Sequence, residues 1–132
     1  MAVFVKTYQD NRKNGTKLFY GRAYHPQVIN RDKLADRIQR NCSMKKSDVL
    51  AVLTELTEVM TDELQNSNTV LLDDFGYFRI SVKTVGAMTE EDFNLHENVK
   101  GLVVRFRPTA KRSYGNVSRT FVQGCGTKLW QE

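Results

Sequence analysis

The chain has 132 residues, with 20 Lys+Arg against 15 Asp+Glu for a formal net charge of +5, and with 40% apolar and 27% charged residues. One domain with a single core fits that length, and the balance excludes disordered and collagen-like chains. No apolar run approaches the ~18 residues of a membrane span, and the start Met-Ala-Val-Phe-Val-Lys-Thr-Tyr shows no signal peptide, so a cytoplasmic location is expected.

Residues 3–8 and 18–24 are rich in β-branched and aromatic types. The polar stretch between them holds Asn14-Gly15, which suits a turn with positive φ, so a β-hairpin with a basic loop (Arg12, Lys13, Lys17) is predicted. His25-Pro26 breaks the second strand. Asn30 then caps a helix that ends near Asn41, with Leu34, Ala35 and Ile38 as its apolar stripe. A longer helix is predicted from Lys46 to Gln65. Val49, Val52, Leu53, Leu56, Val59, Met60 and Leu64 follow helical spacing, and Leu50 widens the stripe beyond what one neighbour can cover.

Val70-Leu71-Leu72 leads into Asp73-Asp74-Phe75-Gly76, where Gly76 marks a bend or bulge. The next strand alternates, with Phe78, Ile80 and Val82 on one face and Arg79, Ser81 and Lys83 on the other. Residues 84–101 form a polar excursion with a capped helical turn at Thr89–Asp92. A strand returns at Leu102, with Leu102, Val104 and Phe106 on one face and Arg105 and Arg107 on the other, and Pro108 stops it. Residues 109–132 are basic and show no firm periodicity.

The basic excess sits at the two ends, in residues 1–28 and 108–132, while the middle is neutral or slightly acidic. That permits a polyanion partner without identifying one. Asp74-Phe75-Gly76 matches the kinase tripeptide, but no Gly-rich loop or His-Arg-Asp loop accompanies it. Two cysteines, Cys42 and Cys125, read as reduced, and they and His25 and His96 lack metal-ligand spacing. No constellation supports catalysis, and no cofactor is expected. What remains is the pair of strands whose outward faces are basic. If they pair, Arg79, Lys83, Arg105 and Arg107 form one surface able to neutralise backbone phosphates; the alternative is that these charges only solvate the sheet.

Asn30-Arg-Asp-Lys-Leu-Ala-Asp-Arg-Ile38, Met44-Lys-Lys-Ser-Asp-Val-Leu50 and Val70-Leu-Leu-Asp-Asp-Phe-Gly-Tyr-Phe-Arg-Ile80 resemble the bacterial HU/IHF family of histone-like DNA-binding proteins. Val104-Arg-Phe-Arg-Pro108 looks like the family's returning strand. The whole chain is similar to an extended branch of that family. The resemblance implies an α+β fold, HU/IHF-like, with a helical base of two helices per subunit, a β-sheet saddle and an intertwined homodimer. It divides the chain into an N-terminal hairpin extension (1–28), an HU-like DNA-binding domain (29–112, with 84–101 as the arm equivalent) and a basic tail (113–132). It implies a nucleoid-associated protein that binds and condenses double-stranded DNA with little sequence preference, and is neither an enzyme nor a partner of membranes or small molecules. Carried over by position, Arg31, Arg79 and Lys111 or Arg112 contact phosphates, beside Lys83, Arg105 and Arg107 from the strand faces.

One departure stands out. The family's arms are basic and carry a proline that wedges between base steps in the minor groove. Here residues 84–101 hold no Pro or Arg and carry Glu90, Glu91, Asp92 and Glu97, which leaves Met88, Phe93 and Leu95 as candidate wedges. A second reading follows: an HU-like dimerisation or protein-interaction module with reduced DNA binding. After Pro108, where the family has Gly-Lys and then a short helix, Thr109-Ala110-Lys111-Arg112 keeps the charge but not the glycine.

Overall fold

The computed structural model describes residues 1–11, 15 and 17–132. Its strands are β1 (Ala2–Gln9), β2 (Phe19–Tyr24), β3 (Val70–Leu72), β4 (Gly76–Thr84), β5 (Val99–Pro108), β6 (Ala110–Ser113), β7 (Asn116–Arg119) and β8 (Gly126–Leu129). Its helices are α1 (Arg31–Asn41), α2 (Lys46–Gln65) and the single turn α3 (Leu95–Asn98). The predicted loop residues Arg12, Lys13 and Asn14 lie outside the described residues. Gly15, next to them, has φ 124°, in the range that favours glycine.

The helices form where local chemistry starts and stops them. The Asn30 side chain accepts from the Lys33 N–H at 3.0 Å, Asp32 lies in the first turn of α1 and Arg40 in its last. Lys46 at the start of α2 reaches Asp36 of α1 at 3.0 Å, an exposed ion pair across the helical hairpin that adds little to its stability. Ala35 and Val49 are the apolar side chains that end up buried among the described residues. The chain leaves α2 through Ser67, at φ 65°, while the Asn68 N–H donates to the Glu63 carbonyl.

The three-stranded sheet β3-β4-β5 is antiparallel throughout. Phe75, at the turn before β4, joins Phe78, Phe106 and Phe121 in an aromatic cluster with ring centroids 4.8–5.9 Å apart. Gly76 is neither bend nor bulge; it is paired in register with Leu72 and Pro108. Glycine is needed there because a Cβ would lie 2.5 Å from the Arg107 carbonyl oxygen and 2.6 Å from the Phe106 ring. Backbone cannot yield as a flexible side chain would, so Gly76→Ala is expected to lower stability by about 1–3 kcal/mol in urea unfolding. The one register shift in this sheet falls between Lys83 and Thr84. The returning strand begins at Val99, three residues earlier than its pattern suggested, because Thr84 pairs with Val99 beyond that shift.

The tail is more ordered than its sequence indicated. β6 and β7 form a hairpin whose two turn residues, Tyr114 (φ 47°) and Gly115 (φ 82°), both lie in the left-handed region. A β-hairpin therefore stands where the resembled family carries a short helix. β8 adds in parallel to β1, giving a separate sheet of order β2-β1-β8, so the expected N-terminal hairpin is present and is extended by the tail. No described helix is long and apolar enough to cross a membrane.

Candidate nucleic-acid interface

The β4–β5 ladder settles where the strand cations lie. Arg79 sits directly opposite Arg105, Tyr77 opposite Arg107, and Lys83 opposite Gly101. Side chains directly opposite each other share a face, so Arg79, Lys83, Arg105 and Arg107 form one basic surface, and all four are exposed. None has an acidic partner within ion-pair distance among the described residues. Arg107 lies over the Tyr77 ring at 5.3 Å, which holds its guanidinium across the sheet. A shallow depression of about 330 Å³ is lined by Tyr77, Arg79, Arg105 and Arg107.

Like charges placed directly across a ladder are unfavourable. The Arg79–Arg105 pair therefore costs the isolated chain some stability.

The remaining predicted residues divide. Arg112 lines a second depression of about 370 Å³ together with Tyr77, Arg107 and Arg119. The β6–β7 register explains this: Ala110 faces Arg119 and Arg112 faces Val117, so both arginines point to the same side. Arg119 is the residue sequence reasoning missed. Its signal was the Tyr114-Gly115 turn between two short polar segments, which fixes a hairpin and therefore the face. Lys111 points to the other side, 3.9 Å from the Asp74 carboxylate, with both groups exposed. Arg31 sits at the base instead, donating from Nη1 to Thr54 Oγ1 of α2 at 3.0 Å.

The excursion is shorter than its sequence indicated, with residues 85–98 lying between β4 and β5. Thr89 Oγ1 accepts from the Asp92 N–H at 3.1 Å, which bears out the capped turn, although the helical residues come later, in α3. Asn98 closes its base: the carboxamide donates to the Val85 and Gly86 carbonyls and accepts from the Asn94 N–H. Asn98 is only 8% exposed, so each of these bonds replaces lost water. Asn98→Ala is expected to raise hydrogen exchange at Asn94, whose N–H loses its acceptor, by about 5- to 150-fold, since leaving buried polar groups unpaired costs roughly 1–3 kcal/mol. Met88 and Leu95 project from this segment at 96% and 76% exposure. None of its four acids pairs with the basic sheet face among the described residues.

The opposite face of the sheet is apolar and largely uncovered. Val82, Leu102 and Val104 are 58–69% exposed, and Leu34 of α1 and Val52 and Val59 of α2 are also exposed.

A helical hairpin running into an antiparallel β3-β4-β5 meander defines an HU-like α+β domain. The profile of the HU-HIG family, an HU domain fused to a winged helix-turn-helix, Ig or glycine-rich motif, matches residues 1–121, and the chain belongs to that family. In fold it is similar to the crystal structure of a protein from Bacteroides vulgatus described provisionally as a bacterial DNA-binding protein, with a TM-score of 0.58 and 11% identity. That similarity covers 96% of this chain and 48% of the other, so this chain spans about half the length of that protein. No curated protein matches it in sequence.

Proposed function

We propose that this protein is a non-enzymatic, histone-like protein that binds duplex DNA with little sequence preference, through the basic face of the β4–β5 sheet. The observation that carries the reading is the placement of Arg79, Arg105, Arg107 and Lys83 on one exposed face without acidic partners. Such a surface meets phosphates, which position a protein on DNA without specifying sequence. Arg112 and Arg119 lengthen it past the sheet edge. Lys111 and Arg31 are peripheral contacts, the first already shared with Asp74 and the second at the helical base. Residues 29–112 supply most of this surface, with 1–28 and 113–132 as flanking additions. The family match and the fold shared with the Bacteroides vulgatus protein support the reading.

The partner on the apolar face is a second copy of the chain. Two buried apolar side chains among the described residues are too few for a chain of 132 residues. The exposed stripes on α1 and α2 and the uncovered strands complement one another as two-fold partners. A dimer brings two basic faces to one duplex. With four strand cations per subunit engaged, eight in the dimer, log affinity is expected to fall with log salt at a slope of roughly −7. Titration of random-sequence duplexes at several salt concentrations tests this; no binding at low salt overturns it. The alternative, a dimerisation or protein-interaction module with reduced DNA binding, draws on the four acids and the missing proline of the excursion, and predicts retained self-association without duplex binding.

A further inference from the structure

The sheet β2-β1-β8 carries a second surface that the duplex reading does not use. Strand register places Phe4 opposite Tyr24, Lys6 opposite Arg22 and Tyr8 opposite Tyr20, with Lys128 beside Phe4 on the parallel strand. Aromatic rings and cations therefore alternate on one face. Arg22 lies over the Tyr8 ring at 4.2 Å and Lys6 over the Tyr24 ring at 3.9 Å. Trp130 packs at the edge of this face against Phe4 and Tyr24. At the other end Tyr8 and Tyr20 remain 37% and 41% exposed, with ring centroids 6.3 Å apart.

We infer that this face is a stacking platform for single-stranded nucleic acid. Bases have π faces that lie on exposed aromatic rings, and the intervening phosphates need cations at close spacing. Tyr20 and the part of the Tyr8 ring that Arg22 leaves exposed supply the stacking surface, and Lys6, Arg22 and Lys128 supply the charges. A duplex does not satisfy this surface, because its bases are already stacked inside the helix. The one acid within ion-pair distance of these cations among the described residues is Glu132, 3.8 Å from Lys6. Both groups are largely exposed, so that pair is weak and exchangeable. The chemistry selects unpaired strands and leaves the choice between DNA and RNA to groups outside this face.

Trp130 is the single tryptophan of the chain, so its fluorescence reports on this sheet. Oligo(dT) and oligo(U) of equal length are the probes, added to the full chain. The expected result is saturable quenching of Trp130, with affinity lowered about tenfold or more by the double variant Tyr8→Leu with Tyr20→Leu. Leucine keeps apolar bulk in the strands and removes the π face. If that variant does not give a wild-type thermal melt, Arg22→Glu on the wild-type strands takes its place, with the same expected loss. Duplex binding is expected to be unchanged in either variant. Arg79→Glu provides the converse: duplex binding weakened, oligonucleotide quenching retained. Absence of quenching, or quenching abolished by Arg79→Glu and untouched by the Tyr8 and Tyr20 changes, overturns the inference without affecting the duplex reading. Loss of duplex binding alone overturns that reading and leaves this one standing. Quenching by an unrelated acidic peptide, such as oligo-Glu, at the same concentration also overturns it, since stacking then has no part.

Discussion

Reversing two charges, Arg79→Glu with Arg105→Glu, is expected to lower duplex affinity by at least about a hundredfold. Each reversal turns one favourable phosphate interaction into an unfavourable one. At about 1 kcal/mol per charge pair at 4 Å in water, more where solvent is displaced, two reversals per subunit exceed the ~2.7 kcal/mol that a hundredfold requires. The two residues face each other across the ladder, which permits a sharper test. The single change Arg79→Glu replaces a like-charge pair by an opposite one. It is expected to raise the unfolding free energy by about 0.2–1 kcal/mol while still weakening DNA binding. A merely solvating pair of arginines shows neither the binding loss nor this opposition of stability and binding. Urea unfolding and fluorescence anisotropy on the same samples measure both quantities.

The second large effect is expected on the other side of the sheet. Val104→Glu places a carboxylate at the centre of the uncovered apolar face, where Val104 pairs with Ile80 and lies between Leu102 and Phe106. In an isolated chain that position is 62% exposed and the substitution is harmless. In a dimer it buries an unpaired charge, which costs roughly 3–5 kcal/mol. The variant is therefore expected to lose self-association, and with it most of its cooperative unfolding transition. The wild type should have the mass of two chains by sedimentation, and its melting temperature should rise with protein concentration, as for folding coupled to association. A wild-type mass of one chain, with Val104→Glu melting as the parent does, rules out the second copy.

Much of this was legible from residues alone. Both long helices keep their expected bounds, Asn30 to Asn41 and Lys46 to Gln65, because caps and helical spacing are local properties. The basic face was legible for the same reason: alternation assigns side chains to faces once two strands pair. What failed depended on long-range partners. Gly76 looks like a bend in sequence, yet its constraint comes from Arg107 and Phe106, thirty residues on. The strand at 126–129 has no pattern of its own and exists because β1 offers it a free edge. Arg119 joined the candidate interface only through a hairpin fixed by Tyr114 and Gly115. The apolar alternation of β4 and β5 was read correctly, while Val82, Leu102 and Val104 on that face stay exposed in this chain because no described element of it packs over them.

Amide chemical-shift mapping on adding a random-sequence duplex decides where the DNA sits. The expected result is that the amides of Arg79, Lys83, Arg105 and Arg107 shift together and saturate, with smaller changes at Arg112 and Arg119, and that all of them reverse on adding salt. Shifts confined to residues 85–98 or to the β2-β1-β8 sheet, with β4 and β5 silent, would contradict the assignment of duplex binding to the basic strand face.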